Sequence, residues 1–190
     1  MPVRPNAATL RAANLSWSRD GTWVVYARGN TDLFAARIDG DTTVLSLAAT
    51  PSVERQPALS PDGRWLAYVS DETGRYEVYV RPFPDVNVTR RQVSLNGGFT
   101  PVWSRSGSEL FFADESMTLY SVPVMPGLTF TIGTPQPLFS AAPFGVLGSQ
   151  FDVDPNGQRF LMSRPAGIRQ RDELVMVESF FDELRRRVPR

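Results

Sequence analysis

Few residues of this 190-residue chain could do chemistry, because it has no His, no Cys and no Lys. Without His a Ser-His-Asp triad cannot form, and no G-x-S-x-G segment is present. A kinase site would lack both its phosphate-anchoring lysine and its catalytic-loop histidine. The sequence therefore predicts a chain that is not an enzyme and needs no cofactor.

One acidic segment, "DVDPNG", is similar to the start of a calcium-binding loop. Asp152, Asp154, Asn156 and Gly157 stand at the first, third, fifth and sixth positions of such a loop. The twelfth position is Ser163, where the loop needs a bidentate glutamate. The segment also coincides with a turn that recurs along the chain, so we interpret it as a hairpin and predict no metal site.

The recurring turn lies inside a phrase that the chain repeats four times, as "LSWSRDGTWVVYA", "PALSPDGRWLAYVSD", "PVWSRSGSELFFA" and "FDVDPNGQRFLMS". Its central glycines, which are 42, 44 and 50 residues apart, are Gly21, Gly63, Gly107 and Gly157. Pro and Asp before such a glycine favour a type I turn, and the glycine takes the left-handed conformation that closes a bulged hairpin. A period of 40 to 50 residues with short strands is typical of a β-propeller blade.

The repeat predicts an all-β protein, a β-propeller of about four four-stranded antiparallel blades or an incomplete propeller. The predicted blades span about 13–50, 55–96, 99–140 and 149–178. After them, "SFFDELRRRVPR" predicts a short helix at about 179–188, because Phe180, Leu184 and Val188 recur on one helical face. Blade four then lacks an outer strand, which residues 7–12 could supply to close the ring.

Positions that are alike in every blade serve the scaffold, so two aligned columns of large apolar residues are predicted to be core between blades. They are Trp17, Leu59, Trp103 and Val153, and Tyr26, Tyr68, Phe112 and Met162. A third column is polar and stands just before each innermost strand: Asn14, Gln56, Thr100 and Gln150. Propeller geometry places that column at the rim of the central channel. There the side chains either bond neighbouring backbone or form a ligand-binding ring.

The loops between the second and third strands should lie on the same face, and they differ in length and charge. Variable loops on a rigid scaffold are a common place for recognition, although single residues of this kind can also be simply solvated. The polar and aromatic contact candidates at this end of the blades are Arg55, Phe99, Arg75, Asp71, Asp114, Arg164 and Arg169.

The phrase "LSPDGRWLAYVSDETGRYEVYVRPF" resembles the TolB-like, WD-repeat-like β-propeller repeat. Together with "FTIGTPQPLF", "DPNGQRFLM" and "ESFFDELRRRVP", it is similar to the carboxyl end of bacterial proteins in which a serine/threonine kinase domain precedes such a propeller. The resemblance covers the chain from about residue 13 onward. This sequence departs from the repeat at Ser106, where the repeat has Asp. It also departs in the number of blades, because the family usually closes its propeller with six or more.

The resemblance implies a binding or sensor module that acts with a signalling kinase or an envelope complex. The expected partner is a protein or a small ligand on the loop-bearing face, with no nucleic acid because the formal charge is zero. The alternatives are a regulatory or gating propeller of a peptidase-type enzyme and a unit that pairs its open blade edges with another copy. No signal peptide or apolar span is present, so we expect cytoplasm for the chain as written and periplasm within a longer exported protein.

Overall fold

The computed structural model describes residues 12–29, 31–40, 43–48, 50–85, 90–125, 127, 129–144, 151–164 and 173–177. At residues 12–13, 164 and 173–177 it describes the backbone alone. Within these residues the only helix is a 3-10 turn at Ala142–Phe144, and no helix among them is long and apolar enough to cross a membrane. The helix predicted at 179–188 lies outside the described residues.

The described strands form four antiparallel sheets, whose strands pair in chain order except that the last strand of the third sheet pairs with the third strand of that sheet. The strands of the first sheet are β1 (Ala12–Trp17), β2 (Trp23–Arg28), β3 (Asp32–Arg37) and β4 (Val44–Ala48). Those of the second are β5 (Glu54–Leu59), β6 (Trp65–Ser70), β7 (Glu77–Pro82) and β8 (Arg91–Gln92). Those of the third are β9 (Phe99–Trp103), β10 (Glu109–Ala113), β11 (Thr118–Met125), β12 (Thr131–Ile132) and β13 (Gln136–Ser140). Those of the fourth are β14 (Asp152–Val153), β15 (Phe160–Arg164) and β16 (Glu173–Val177).

Successive sheets place their first strands side by side. The strand β1 contacts β5, β5 contacts β9, and β9 contacts β14. Sheets that meet along their innermost strands and fan outward are the blades of a propeller. The prediction of an all-β propeller arrangement is therefore confirmed, and we call the four sheets blades one to four.

The hairpin between the first two strands of each blade has the geometry that its sequence predicts. Gly21, Gly63, Gly107 and Gly157 all have positive φ, between 69° and 76°. In blade two the Trp65 N–H donates to Ser60 Oγ at 3.0 Å, and the Ser60 hydroxyl donates to Asp62 Oδ1 at 2.6 Å. The repeated phrase is thus a self-contained turn in which side chains satisfy the backbone that the glycine bend exposes.

The outer part of blade three differs from the single fourth strand that a four-stranded blade predicts. The segment "FTIGTPQPLF" forms two strands, β12 and β13, which both pair with β11. Pro135 stands between them, and proline has no N–H to donate to a ladder. Of the closing strand predicted at 7–12, only Ala12 is described, and it begins β1.

Each pair of neighbouring blades buries an apolar layer, and side chains on one strand alternate between two layers. On β6, Leu66 and Tyr68 pack toward blade one, whereas Ala67 and Val69 pack toward blade three. We call the side toward the preceding blade the leading face and the side toward the following blade the trailing face. Each layer also contains aromatic contacts between blades. Trp23 lies 5.6 Å from Phe83, Trp65 lies 5.1 Å from Phe130, and Phe160 lies 5.2 Å from Phe111 and 5.5 Å from Phe139, between ring centroids.

The prediction that the column of Trp17 is core is wrong at Trp17 itself. Leu59 and Trp103 are 8% and 9% exposed, but Trp17 is 62% exposed. These residues belong to the leading face, and in the described part of the chain no blade packs on the leading face of blade one. Tyr26 of the second column is only partly buried for the same reason, whereas Tyr68, Phe112 and Met162 are buried.

Truncation of an apolar side chain should lower the free energy of unfolding strongly only where that side chain is buried in a layer between two blades. We expect Leu110→Ala, at a fully buried position between blades two and three, to lower the free energy of unfolding by about 2–5 kcal/mol. Leu95→Ala removes the same atoms from a side chain that is 71% exposed and should change it by less than about 0.5 kcal/mol. Urea unfolding of both variants measures the difference, and equal losses would contradict this packing.

Candidate functional site

The innermost strands of the four blades border a cleft of about 520 Å³ along the axis. Its walls combine apolar side chains such as Trp103 and Phe151 with polar ones such as Ser16, Gln56 and Thr100. Arg105 and Asp152 bring one positive and one negative charge to the same cleft. An apolar concavity with a few convergent polar groups is the usual form of a ligand site.

The predicted polar column lies on β-bulges at the head of this cleft. Asn14, Gln56 and Thr100 have positive φ values of 55°, 53° and 49°. The ladder register shifts next to each of them, between the first and second strands of its blade. Bulges commonly lie beside functional sites, where they redirect a side chain. Gln150, the fourth member of the column, lies outside the described residues.

Two of these bulges are joined across the boundary between blades. Gln56 Oε1 accepts a hydrogen bond from the Thr100 N–H at 2.9 Å. The Gln56 side chain therefore bonds neighbouring backbone, which is one of the two roles that the sequence analysis considered for this column. The bond fixes the head of β9 relative to β5.

Thr100, which lines the cleft, has two energetically unfavourable features. It is β-branched, and for such a residue a positive φ is a true outlier that costs about 1–3 kcal/mol. It is only 5% exposed, and its Oγ1 has no hydrogen-bond partner among the described residues. A buried hydroxyl without a partner adds a further penalty, so the fold retains two unfavourable features at one cleft-lining residue.

Arg55 and Phe99 meet at the loop-bearing end, together with a residue that the sequence did not single out. The Arg55 guanidinium carbon lies 3.8 Å from the centre of the Tyr76 ring and 5.8 Å from that of Phe99. The two rings are 5.7 Å apart. This cation–π cluster holds the Arg55 charge beside the bulges, and Arg55 Nε is buried with no hydrogen-bond partner in the described structure.

Three of the predicted contact residues form local structural bonds. Asp71 Oδ1 accepts the Val53 N–H at 2.7 Å, and Asp114 Oδ1 accepts the Thr118 N–H at 2.7 Å. Arg75 donates to Leu95 O at 2.7 Å and to Glu77 Oε1 at 3.1 Å. These side chains shape the loops. Of the remaining two candidates, Arg169 lies outside the described residues and Arg164 is described only as the last residue of β15.

The segment that is similar to a calcium loop forms the hairpin of blade four. Asp154 takes the place that Ser60 has in blade two, and its Oδ1 accepts the N–H groups of Gln158 at 2.7 Å and Arg159 at 3.1 Å. Its other oxygen accepts from Arg159 Nε at 3.1 Å. The described residues contain no group of three or more acidic side chains placed to hold a metal ion.

A buried carboxylate, Glu54, stands at the same end of β5 and was missed by the sequence analysis. It is 1% exposed; its Oε1 accepts from the Thr50 hydroxyl, and its Oε2 has no partner in the described residues. Burial raises the pKa of the Glu54 carboxyl, the Thr50 bond opposes this, and the charges of Asp32 and Glu72 reinforce it. No sequence pattern marks it, because its equivalents in the other blades are not acidic.

Comparison with known proteins places this arrangement among propellers. A scan against family models and a search of curated protein sequences find no match. Among solved structures, TolB from Acinetobacter baumannii matches with a TM-score of 0.66 at 16% identity, over 90% of this chain and 41% of that one. The chain has the fold of a TolB-like β-propeller.

Two further solved structures with this fold are enzymes. A gluconolactonase from Xanthomonas campestris has a TM-score of 0.65 at 15% identity, over 91% of this chain and 60% of that one. A puromycin-hydrolyzing peptidase from Mycobacterium tuberculosis has a TM-score of 0.60 at 23% identity, over 90% of this chain and 30% of that one. The chain thus spans less than two thirds of each of these proteins, and the fold alone does not determine function. The resemblance to kinase-linked propellers stays a prediction.

The raised pKa of Glu54 predicts a pH dependence of stability. Between the unfolded and folded pKa values the native state binds more protons than the unfolded state, so stability decreases as pH rises through that range. Glu54→Gln removes the buried charge and keeps an oxygen for the Thr50 hydroxyl. We expect this variant to be more stable than the parent near pH 7, and the difference to vanish below 4.5, the ordinary pKa of a glutamate. Urea unfolding across pH measures this, and a pH-independent difference would contradict it.

Proposed function

We propose that this chain is a non-catalytic binding module that receives a polar segment of a protein partner, or a small polar ligand, in the axial cleft. The observation that carries the proposal is Thr100, whose buried hydroxyl lacks a partner among the described residues and whose backbone is strained. Unfavourable features of this kind persist mainly where function requires them. In this proposal the Thr100 side chain turns into the cleft when a ligand binds, and a donor or acceptor of the ligand then satisfies its hydroxyl.

The non-catalytic part of the proposal is supported by the residue types in and around the cleft. Its polar groups are hydroxyls, one amide, one guanidinium and one carboxylate. His and Cys, the usual nucleophile activators and nucleophiles, are absent from the whole chain. In this proposal the module serves a signalling kinase or a TolB-like envelope complex, as the sequence resemblance suggests.

A second candidate is a regulatory propeller of a peptidase-type enzyme whose catalytic domain is not in this sequence. It is favoured by the similarity to the puromycin-hydrolyzing peptidase, of which the matched region is 30%. In that role the cleft would select substrates by size. Recovery of a hydrolase that binds this chain and changes its substrate size limit would favour it.

The binding proposal can be tested with peptides selected from a random phage-displayed library against the purified chain. Selected peptides should shift the backbone amide resonances of Gln56 and Thr100 in ¹⁵N-labelled protein. Thr100→Val keeps the shape and removes the hydroxyl, so we expect peptide affinity to fall about threefold to tenfold. Thr131→Val, on the outer strand β12, removes a hydroxyl far from the cleft and should leave affinity unchanged.

The same variant separates function from stability. Because Thr100→Val removes an unsatisfied buried hydroxyl, it should raise the free energy of unfolding by about 1 kcal/mol while it weakens binding. Selected peptides that shift only outer-strand resonances would contradict the cleft as the binding site. Turnover of glucono-δ-lactone or of peptide substrates by the purified chain would contradict the non-catalytic role.

A further inference from the structure

A second pocket, of about 230 Å³, lies at the loop-bearing end of the boundary between blades two and three. Its walls come from the connection between these blades, from β10 and the turn after it, from β11, and from the loop between β12 and β13. They include Leu95, Gly97, Phe112, Asp114, Tyr120 and Pro135. The pocket shares no lining residue with the axial cleft, so a ligand can bind here independently of the one proposed there.

Asp114 brings a carboxylate into this pocket. The residue is only 9% exposed, and its Oδ1 accepts the Thr118 N–H at 2.7 Å. No arginine among the described residues forms an ion pair with it. Burial raises the pKa of the Tyr120 phenol, and the charge of Asp114 reinforces this rise, so the two groups lie close together. A carboxylate that is largely removed from water attracts a cation more strongly than a solvated one, because water screens it less.

The charges around the pocket are mainly negative. A Cβ on Gly97 would lie 2.6 Å from Glu115 Cγ, so glycine is what lets the Glu115 side chain lie against this wall. Behind the same wall, Glu77 Oε1 accepts the Gly97 N–H at 3.1 Å. Arg75 donates to Leu95 O at 2.7 Å, but its charge is already paired with Glu77 at 3.1 Å. A cation in the pocket would therefore meet a favourable potential.

The remaining walls fit an aliphatic chain. Leu95 and Pro135 are apolar, and the Tyr120 ring stacks on Phe112 with ring centroids 5.2 Å apart. Apolar walls around a carboxylate match an alkyl chain that ends in a cation. A guanidinium binds best to both oxygens of a carboxylate, whereas one oxygen of Asp114 already accepts a backbone N–H. An ammonium is a compact point charge and needs only one oxygen, so it suits this pocket better.

We propose that this pocket receives a lysine side chain of a partner protein, with the ammonium at Asp114 and the methylene chain against Leu95 and Pro135. No side chain of this protein can supply that ammonium, because all of its twenty basic residues are arginine. The same composition excludes the side chains of a second copy as the source. Leu95 is exposed and offers an apolar contact to the residues that flank the lysine in the partner.

The test compares three blocked amino acids by NMR titration of the ¹⁵N-labelled full chain. The probes are the Nα-acetyl methylamides of lysine, arginine and norleucine, which differ mainly in the group that ends the side chain. We expect the lysine probe to shift the amide resonances of Asn96, Gly97 and Tyr120 and to bind at least about threefold more tightly than the arginine probe. The norleucine probe has no charge and should bind at least about tenfold more weakly than lysine.

Three results of this titration would overturn the proposal. Norleucine or arginine that binds as tightly as lysine would show that the ammonium is not recognised. Lysine-probe shifts confined to Gln56 and Thr100 would place the binding in the axial cleft. Butylammonium that binds more tightly than the lysine probe would assign the pocket to a free amine and not to a protein side chain.

Substitutions test the role of the carboxylate. Asp114→Asn removes the charge and keeps an oxygen for the Thr118 N–H, so lysine-probe affinity should fall at least about tenfold. Asp20→Asn makes the same change at a carboxylate that also accepts a backbone N–H, in the hairpin of blade one, and should leave the affinity unchanged. Leu95→Ala shortens an exposed wall, so it tests the pocket even if Asp114→Asn does not fold, and it should weaken lysine binding about threefold. Unchanged affinity in either pocket variant would overturn the proposal.

Discussion

The whole structure depends on apolar packing between the trailing face of one blade and the leading face of the next. Among the described strands, the ladders join only strands of the same sheet, so no ladder crosses a boundary between blades. Alternating side chains make this packing possible, since Leu66 and Ala67 are consecutive in the chain and belong to different layers. Burial of apolar surface on both faces of each blade is thus the main force that orders the blades around the axis.

The axis is where this regular packing is interrupted. The innermost strands carry β-bulges at Asn14, Gln56 and Thr100, and a side-chain bond from Gln56 to the Thr100 backbone links two of them. Thr100 has a positive φ and a hydroxyl that no described residue satisfies. Local energetic cost at a site is ordinarily offset by the scaffold around it.

The sequence was sufficient to predict the features that depend on local chemistry and repetition. The turn at Gly63 follows from Pro, Asp and Gly, and the burial of Trp103 follows from its column. Trp17 shares that column but is exposed, because its burial depends on a neighbouring blade and not on its own sequence context. The positive φ of Thr100 could not be predicted, since no glycine marks it. Glu54 and the Arg55–Tyr76 contact depend on which loops meet in space, and a single sequence does not specify that.

The most direct test of the packing between blades is a double-mutant cycle on the free energy of unfolding. Phe111 and Phe160 contact each other across the boundary of blades three and four at 86° between ring planes. Leu substitutions at both should show a coupling of about 0.5–1.5 kcal/mol beyond the sum of the single effects. Phe112 follows Phe111 in the chain but faces blade two, so its cycle with Phe160 should be additive within about 0.5 kcal/mol. Equal coupling in the two cycles, or none in the first, would contradict the account.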